Sequence, residues 1–131
     1  MIYYSINTSL DPEELAELFD SSGIKRPTSD LPRLAKMIAN ANLTITARAE
    51  GRLVAVARSL TDFSYCCYQS DLAVCKEYQS KGMARELIAR TNKVVGENCS
   101  LILLSAPQAM DYYPKVGFEK VENGWIVKRV K

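Results

Sequence analysis

The residues with the clearest chemical potential lie in one short run, Gln79-Ser80-Lys81-Gly82-Met83-Ala84-Arg85. An apolar run ending in Leu72-x-Val74 precedes it. Ala84, Leu87, Ile88, Thr91, Val94 and Val95 follow at helical spacing. The first amides of a helix have no intrahelical partner, and the aligned peptide dipoles add positive potential there. Gly82 and Ala84 are small, so a ligand can approach the backbone closely. Lys81 and Arg85 add charge. Strand, turn and helix start in this order predict a cradle for a phosphate-bearing anion.

What the chain lacks narrows the chemistry further. It has no histidine, which removes the commonest general base and the commonest zinc ligand. Ser-His and Cys-His nucleophilic machines are excluded. Cys66, Cys67, Cys75 and Cys99 form no Cys-x-x-Cys pair, so no metal site is expected. Each cysteine is expected as a small buried apolar residue. Cys66 and Cys67 are adjacent, which suits neither disulfide geometry nor a redox pair.

The elements that must position the cradle read as follows. Ile2 to Ile6 suggests a first strand. Asp11-Pro12-Glu13-Glu14 is a helix start, with a capping Asp, a first-position Pro and acids in the first turn. Leu15, Leu18 and Phe19 give that helix its apolar face, and Ser21-Ser22-Gly23 ends it. A polar loop from Gly23 to Thr28, with Lys25 and Arg26, leads to a second helix starting near Ser29 to Pro32. Its apolar stripe is Leu34, Ile38 and Ala41. Leu43–Ala49 and Leu53–Leu60 alternate around Glu50-Gly51-Arg52 and predict a hairpin. Tyr65–Val74 adds a third strand, with Cys66, Tyr68 and Ser70 on one face and Cys67, Gln69 and Asp71 on the other. The cradle helix is expected from about Lys81 to Val95. Leu101-Ile102-Leu103-Leu104 reads as a strand buried on both faces, parallel to Tyr65–Val74 through a crossover. A short helix over Ala106–Tyr113 and a terminal hairpin, Phe118–Glu122 with Trp125–Val130 around Asn123-Gly124, complete the expectation.

With 131 residues, 47% hydrophobic and 24% charged, the chain suits a single soluble domain over residues 1–131. The net charge of +2 is carried by scattered Lys and Arg, so no nucleic-acid partner is expected. No apolar run approaches the roughly 20 residues of a bilayer span, so no membrane association is expected and the cytoplasm is the default location. The fold class is α/β (α+β mixed): a largely antiparallel sheet with one parallel pair, flanked by about four helices.

Two motifs at this separation resemble the GNAT superfamily of N-acetyltransferases. Tyr78-Gln79-x-x-Gly82-x-Ala84, following Leu72-x-Val74, is similar to its acetyl-CoA motif, (Arg/Gln)-x-x-Gly-x-(Gly/Ala). Ala109-x-x-Tyr112-Tyr113-x-x-x-Gly117-Phe118 resembles its Ala-x-x-Phe-Tyr-x-x-x-Gly-Phe segment. The order of elements matches as well. The family often carries Asn at the position of Ala106, and Ala84 stands where Gly is common.

The resemblance implies a GNAT-like fold whose parallel strands splay apart. It also implies acetyl transfer from acetyl-CoA to a primary amine, direct within a ternary complex; a non-catalytic acyl-CoA-binding module of the same fold is the alternative. Leu72, Ala73 and Val74 would offer backbone to the pantetheine arm. Gln79, Ser80, Lys81, Gly82, Met83 and Ala84 would hold the pyrophosphate. Tyr113 would donate a proton to the leaving thiolate. A free alkylamine is neutral in only about one molecule in a thousand at pH 7, so a base or water chain is required. Tyr68 and Ser70 are the candidates, acting through water; Asp71 has the opposite parity unless a bulge reverses it, and Asp62 and Glu50 lie at nearby turns. The acceptor would be a small-molecule or peptide amine, and Lys25 and Arg26 lean towards one bearing a carboxylate. An exposed terminal hairpin with Trp125 and Ile126 would offer a surface for a homodimer.

Overall fold

The computed structural model describes residues 1–131. Five strands form one sheet in the order β1-β2-β3-β4-β5: β1 (Ile2–Ile6), β2 (Leu43–Ala49), β3 (Arg52–Thr61), β4 (Cys66–Val74) and β5 (Ser100–Ile102). The first three pairings are antiparallel and β4–β5 is parallel. Three α-helices flank the sheet: α1 (Pro12–Ser22), α2 (Leu31–Asn40) and α3 (Met83–Val95).

Sequence chemistry explains the helix starts. Asp11 precedes α1, and the Glu14 carboxylate accepts from the Asp11 N–H at 3.0 Å. Asp30 caps α2, accepting from the Arg33 N–H at 3.1 Å. Leu15, Leu18 and Phe19 of α1, Leu34 of α2 and Leu87 of α3 are buried with the strand interiors in one core.

The sheet has two distinct faces. Tyr4 of β1 is the register partner of Ala47, and the guanidinium of Arg90 in α3 lies 4.1 Å from the Tyr4 ring centre. That face belongs to α3. On the other face Arg58 of β3 reaches α2, donating from Nη1 to the Met37 carbonyl at 3.3 Å.

A bulge decides the parity of β4. Arg58 pairs with Asp71, but Ser59 pairs with Gln69, so Ser70 is the extra residue. Leu60 and Arg58 share a face on β3, and therefore so do their partners Tyr68 and Asp71. The simple alternation that set Asp71 against Tyr68 is thus corrected: both face the α1/α2 side.

The end of the chain departs from expectation. There are three α-helices rather than about four, because Ala106–Tyr113 forms only a 3₁₀ turn at Pro107–Ala109, followed by another at Tyr113–Val116. Prolines at positions 107 and 114 leave no room for a continuous i→i−4 ladder. The terminal hairpin is not formed. Neither Asn123 nor Gly124 adopts the left-handed conformation that a type I′ turn needs. Residues 119–131 are all exposed, with the Lys131 carbonyl accepting from Arg33 Nη2 at 3.3 Å. With no strand beyond it, β5 is an edge: Ile102 and Leu104 are exposed, not buried on both faces. Cys67 and Cys75 are buried as expected, but Cys66 is exposed.

Candidate functional site

The β4–β5 ladder is short. Its pairs are Cys66–Ser100, Cys67–Leu101 and Tyr68–Ile102, and from Gln69 to Val74 β4 has no strand partner on this side. The Cys75 N–H donates to the Val54 carbonyl at 2.8 Å, so alternation turns Ala73 towards β3 and the N–H and C=O of Leu72 and Val74 towards the open edge. The side chain of Gln79 marks that direction: its Nε2 donates to the Val74 carbonyl at 2.9 Å and to the Ser22 carbonyl at 3.3 Å. Gln79 therefore braces the turn between β4 and α3.

After that brace the backbone coils. Ser80 and Gly82 both have positive φ, 64° and 84°, on either side of Lys81. The first helical bond of α3 runs from the Glu86 N–H to the Gly82 carbonyl at 3.1 Å. The N–H groups of Ser80 through Arg85 thus have no acceptor within the chain. Alternating backbone signs and a helix start converge these dipoles into an anion-binding concavity. The Lys81 Nζ lies 5.4 Å from the centre of the Tyr78 ring, which leaves a cation beside the turn.

Tyr112 and Tyr113 belong to the turns that follow β5. Their rings meet edge-on at 5.4 Å between centres, and Tyr113 meets Phe118 likewise at 5.3 Å. The Phe118 N–H closes this turn on the Tyr113 carbonyl at 3.1 Å. Burial pushes the Tyr113 phenol above its ordinary pKa, and the neighbouring Tyr112 adds to the rise. Burial also raises Tyr112, while the charge of Arg85 pulls it partly back.

On the α1/α2 side the polar groups are engaged. Asp71 is fully buried; its Oδ1 accepts from Arg26 Nε at 2.6 Å and its Oδ2 from Arg58 Nε at 2.5 Å. Arg26 Nη2 donates to the Ser70 carbonyl at 2.8 Å, and Arg58 Nη2 to the Ser70 Oγ at 3.1 Å. Arg26, read from the sequence as a free loop cation, points inward. Tyr68 remains partly exposed at the sheet end. Asp62 is occupied too: one carboxylate oxygen accepts from the N–H groups of Ser64, Tyr65 and Cys66 at 2.8–3.0 Å. Those bonds hold its pKa down to about 2. The Arg26–Asp71–Arg58 cluster was missed because its partners lie 45 and 13 positions apart; only the bulge brings them together.

No group of His, Cys, Asp or Glu is placed to share a metal ion. The hollow lined by Glu14, Leu18, Arg52 and Cys75 contains no residue of the open edge or the coil.

The parallel ladder thus ends at Tyr68–Ile102, and β4 runs on to a helix start of free amides. The chain belongs to the GNAT acetyltransferases: the family model described as "Acetyltransferase (GNAT) domain" matches residues 13–130. It is 27% identical over 130 residues to an N-acetyltransferase of Pyropia yezoensis, ycf52, which is itself uncharacterized. That match covers 94% of this chain and 73% of the relative. A Staphylococcus aureus protein of unknown function, named a probable acetyltransferase, superposes with a TM-score of 0.84 at 22% identity, covering 98% of this chain and 100% of that one. A GNAT family acetyltransferase of Streptococcus pneumoniae superposes at 0.77 with 18% identity, covering 98% and 100%.

Proposed function

We propose that this acetyltransferase takes its acetyl group from acetyl-CoA and delivers it directly to a primary amine in a ternary complex. The observation that carries the reading is the run of unpaired N–H groups from Ser80 to Arg85, which lies next to the open edge of Leu72 and Val74. These residues fit a nucleotide thioester in chemical type. Clustered amides suit a pyrophosphate, and a free strand edge suits an amide-bearing arm. Acetyl-CoA would supply the activated acyl group.

The chain's own groups then have distinct work. Ser80 to Ala84 hold the diphosphate, with Lys81 adding charge. The Leu72 and Val74 main chain aligns the arm, and an N–H on this edge stabilises charge developing on the acyl oxygen. The Tyr113 phenol, its pKa raised by burial, stays protonated and donates towards the departing sulfur. The Ser70 Oγ accepts from Arg58, which makes it a weak base. Tyr68, partly exposed on the same face as Asp71, is the better start of a water relay for the amine proton.

One observation favours a second reading. Both oxygens of Asp71, the only carboxylate on β4, are engaged by guanidinium groups. A domain that binds an acyl-CoA without turning it over would need no base. Thiol release from acetyl-CoA, measured against an amine panel and corrected for the exposed Cys66, separates the two. Turnover of any amine supports the transferase. Binding of CoA without turnover, unchanged in Tyr113→Phe, supports the binding module. Absence of CoA binding defeats both.

A further inference from the structure

The geometry points to Arg26, Asp71 and Arg58 as a positioning unit that locks the Gly23–Thr28 loop onto the β4 bulge and so fixes where an acceptor meets the Leu72–Val74 edge. Asp71 takes no proton in this assignment. Each of its oxygens receives a guanidinium from a different element, Arg26 from the loop between α1 and α2 and Arg58 from β3.

The same two guanidiniums grip the bulge residue from both sides. Arg26 holds the Ser70 carbonyl and Arg58 holds the Ser70 hydroxyl. Their remaining bonds reach outward. Arg26 Nη1 donates to the Lys25 carbonyl at 2.7 Å within its own loop, and Arg58 Nη1 to Met37 in α2. One buried carboxylate therefore joins loop, helix and two strands. The loop adds its own turn, with the Thr28 N–H on the Arg26 carbonyl at 2.8 Å.

A bulge re-aims the strand that follows it. Ser70 is the bulge residue, and Leu72 stands two positions on with its main chain facing the open edge. The edge itself is held by its pairing with β3, so a change in the grip on Ser70 shifts the loop relative to it. The guanidinium fork has fixed donor directions, which a single ammonium cannot reproduce. A buried charge pair also loses its partner's compensation when either member is removed, so the arrangement resists partial loosening. The unit thus sets one geometry rather than a range of them.

The kinetic consequence rests on the acetyl-transfer reading; the tie itself does not. Arg26 is the member to replace first, because its side chain is 25% exposed and the Asp71–Arg58 pair survives its loss. Arg26→Ala is expected to raise the KM for the acceptor at least about tenfold while the KM for acetyl-CoA stays within about twofold. Arg26→Lys is expected to recover less than half of that loss. An unchanged acceptor KM, or equal rises in both, overturns the assignment. So does an Asp71→Asn variant that loses kcat by about a thousandfold at constant acceptor KM together with the acid limb of its pH profile, because Asp71 would then be the base. If the wild-type chain turns over no amine, the functional reading fails alone and amide hydrogen exchange still decides the tie. Arg26→Ala and Asp71→Asn should each speed exchange across Gly23–Thr28, and the double variant should exchange no faster than the faster single one. Additive acceleration overturns the tie.

Discussion

The two flanks of β4 treat polar groups in opposite ways. Towards β5 and α3 the strand and its following turn leave N–H groups without partners, at the Leu72–Val74 edge and again at Ser80–Arg85. Towards α1 and α2, Asp71 is buried and doubly bonded, and Ser70 is held by main chain and side chain. The free flank works through backbone, so it tolerates many side chains provided the turn is made. The engaged flank works through three named side chains, and each is hard to replace. The proposed binding edge and the cluster proposed to aim it thus lie one residue apart on the same strand.

The sharpest way to break the comparison is to remove the charge at the centre of the engaged flank. Asp71→Asn keeps the volume but leaves two guanidiniums, one of them buried, without their carboxylate. Breaking a buried pair by removing one partner costs about 3–5 kcal/mol. Urea unfolding should show a lower midpoint with an unchanged slope. CoA binding by the remaining folded protein should be nearly unaffected, because the free flank is made of other groups. A variant as stable as the wild type would mean that Asp71 is not the keystone the geometry implies.

Next in size is the effect expected at Tyr113, the proposed general acid. Tyr113→Phe removes only a hydroxyl, and loss of a general acid lowers kcat by about a hundredfold or more. As the proposed acid the phenol would work protonated, and burial raises its pKa, so its contribution would be complete through neutral pH and lost as pH rises through the folded value. The alkaline fall in kcat is therefore expected above about pH 10, and Tyr113→Phe should erase it. A wild-type fall centred near neutrality would assign the acid elsewhere.

A smaller effect tests the backbone claim directly. Gly82 has φ of 84°, where an L side chain is strained by about 1–2 kcal/mol. A Cβ there would meet nothing within 4 Å, so protein packing supplies no further penalty. Gly82→Ala should weaken CoA affinity by about tenfold, read by calorimetry, with the KM for the amine unchanged. Equal weakening of both substrates would mean that the coil shapes the whole cleft.

The same contrast explains what the residue pattern revealed. Helix starts, the meander, the parallel crossover and the free amides before α3 all follow from local chemistry: Asp11-Pro12, Asp30, Gly82, and apolar periodicity. The face of Asp71 did not, because one bulge residue inverts parity and nothing at Ser70 announces it. Arg26 looked like a free loop cation for the same reason. The Leu101–Leu104 run promised burial, but burial needs a neighbour on each side, and Asn123-Gly124 does not make the turn that would bring one. The alternation of Tyr68 with Gln69 survived, since it lies before the bulge.

A pair of partly exposed groups sharpens the engaged side of the comparison at its weak end. The Arg48 Nη1 and Nη2 donate to the two oxygens of Glu14, both at 2.8 Å. The Arg48 bond is the main reason the Glu14 pKa lies below its ordinary value; the Asp11 N–H helps, and burial opposes. A carboxylate with a depressed folded pKa adds stability above its unfolded pKa and loses it as pH falls through the folded one. Glu14 should therefore contribute fully at neutral pH and fade below the ordinary carboxylate range. Both side chains are about a quarter exposed, 24% and 28%, so solvent screening limits the pair to about 1 kcal/mol or less. Glu14→Gln should lower the melting temperature slightly at pH 7 and hardly at all at pH 3, and added salt should shrink the difference. The Asp71 deficit, in contrast, should persist in high salt, because ions cannot enter a site with no exposed carboxylate surface. If salt abolished both deficits equally, the buried and the partly exposed ties would be one kind of interaction, and the contrast between the two flanks would have to rest on geometry alone.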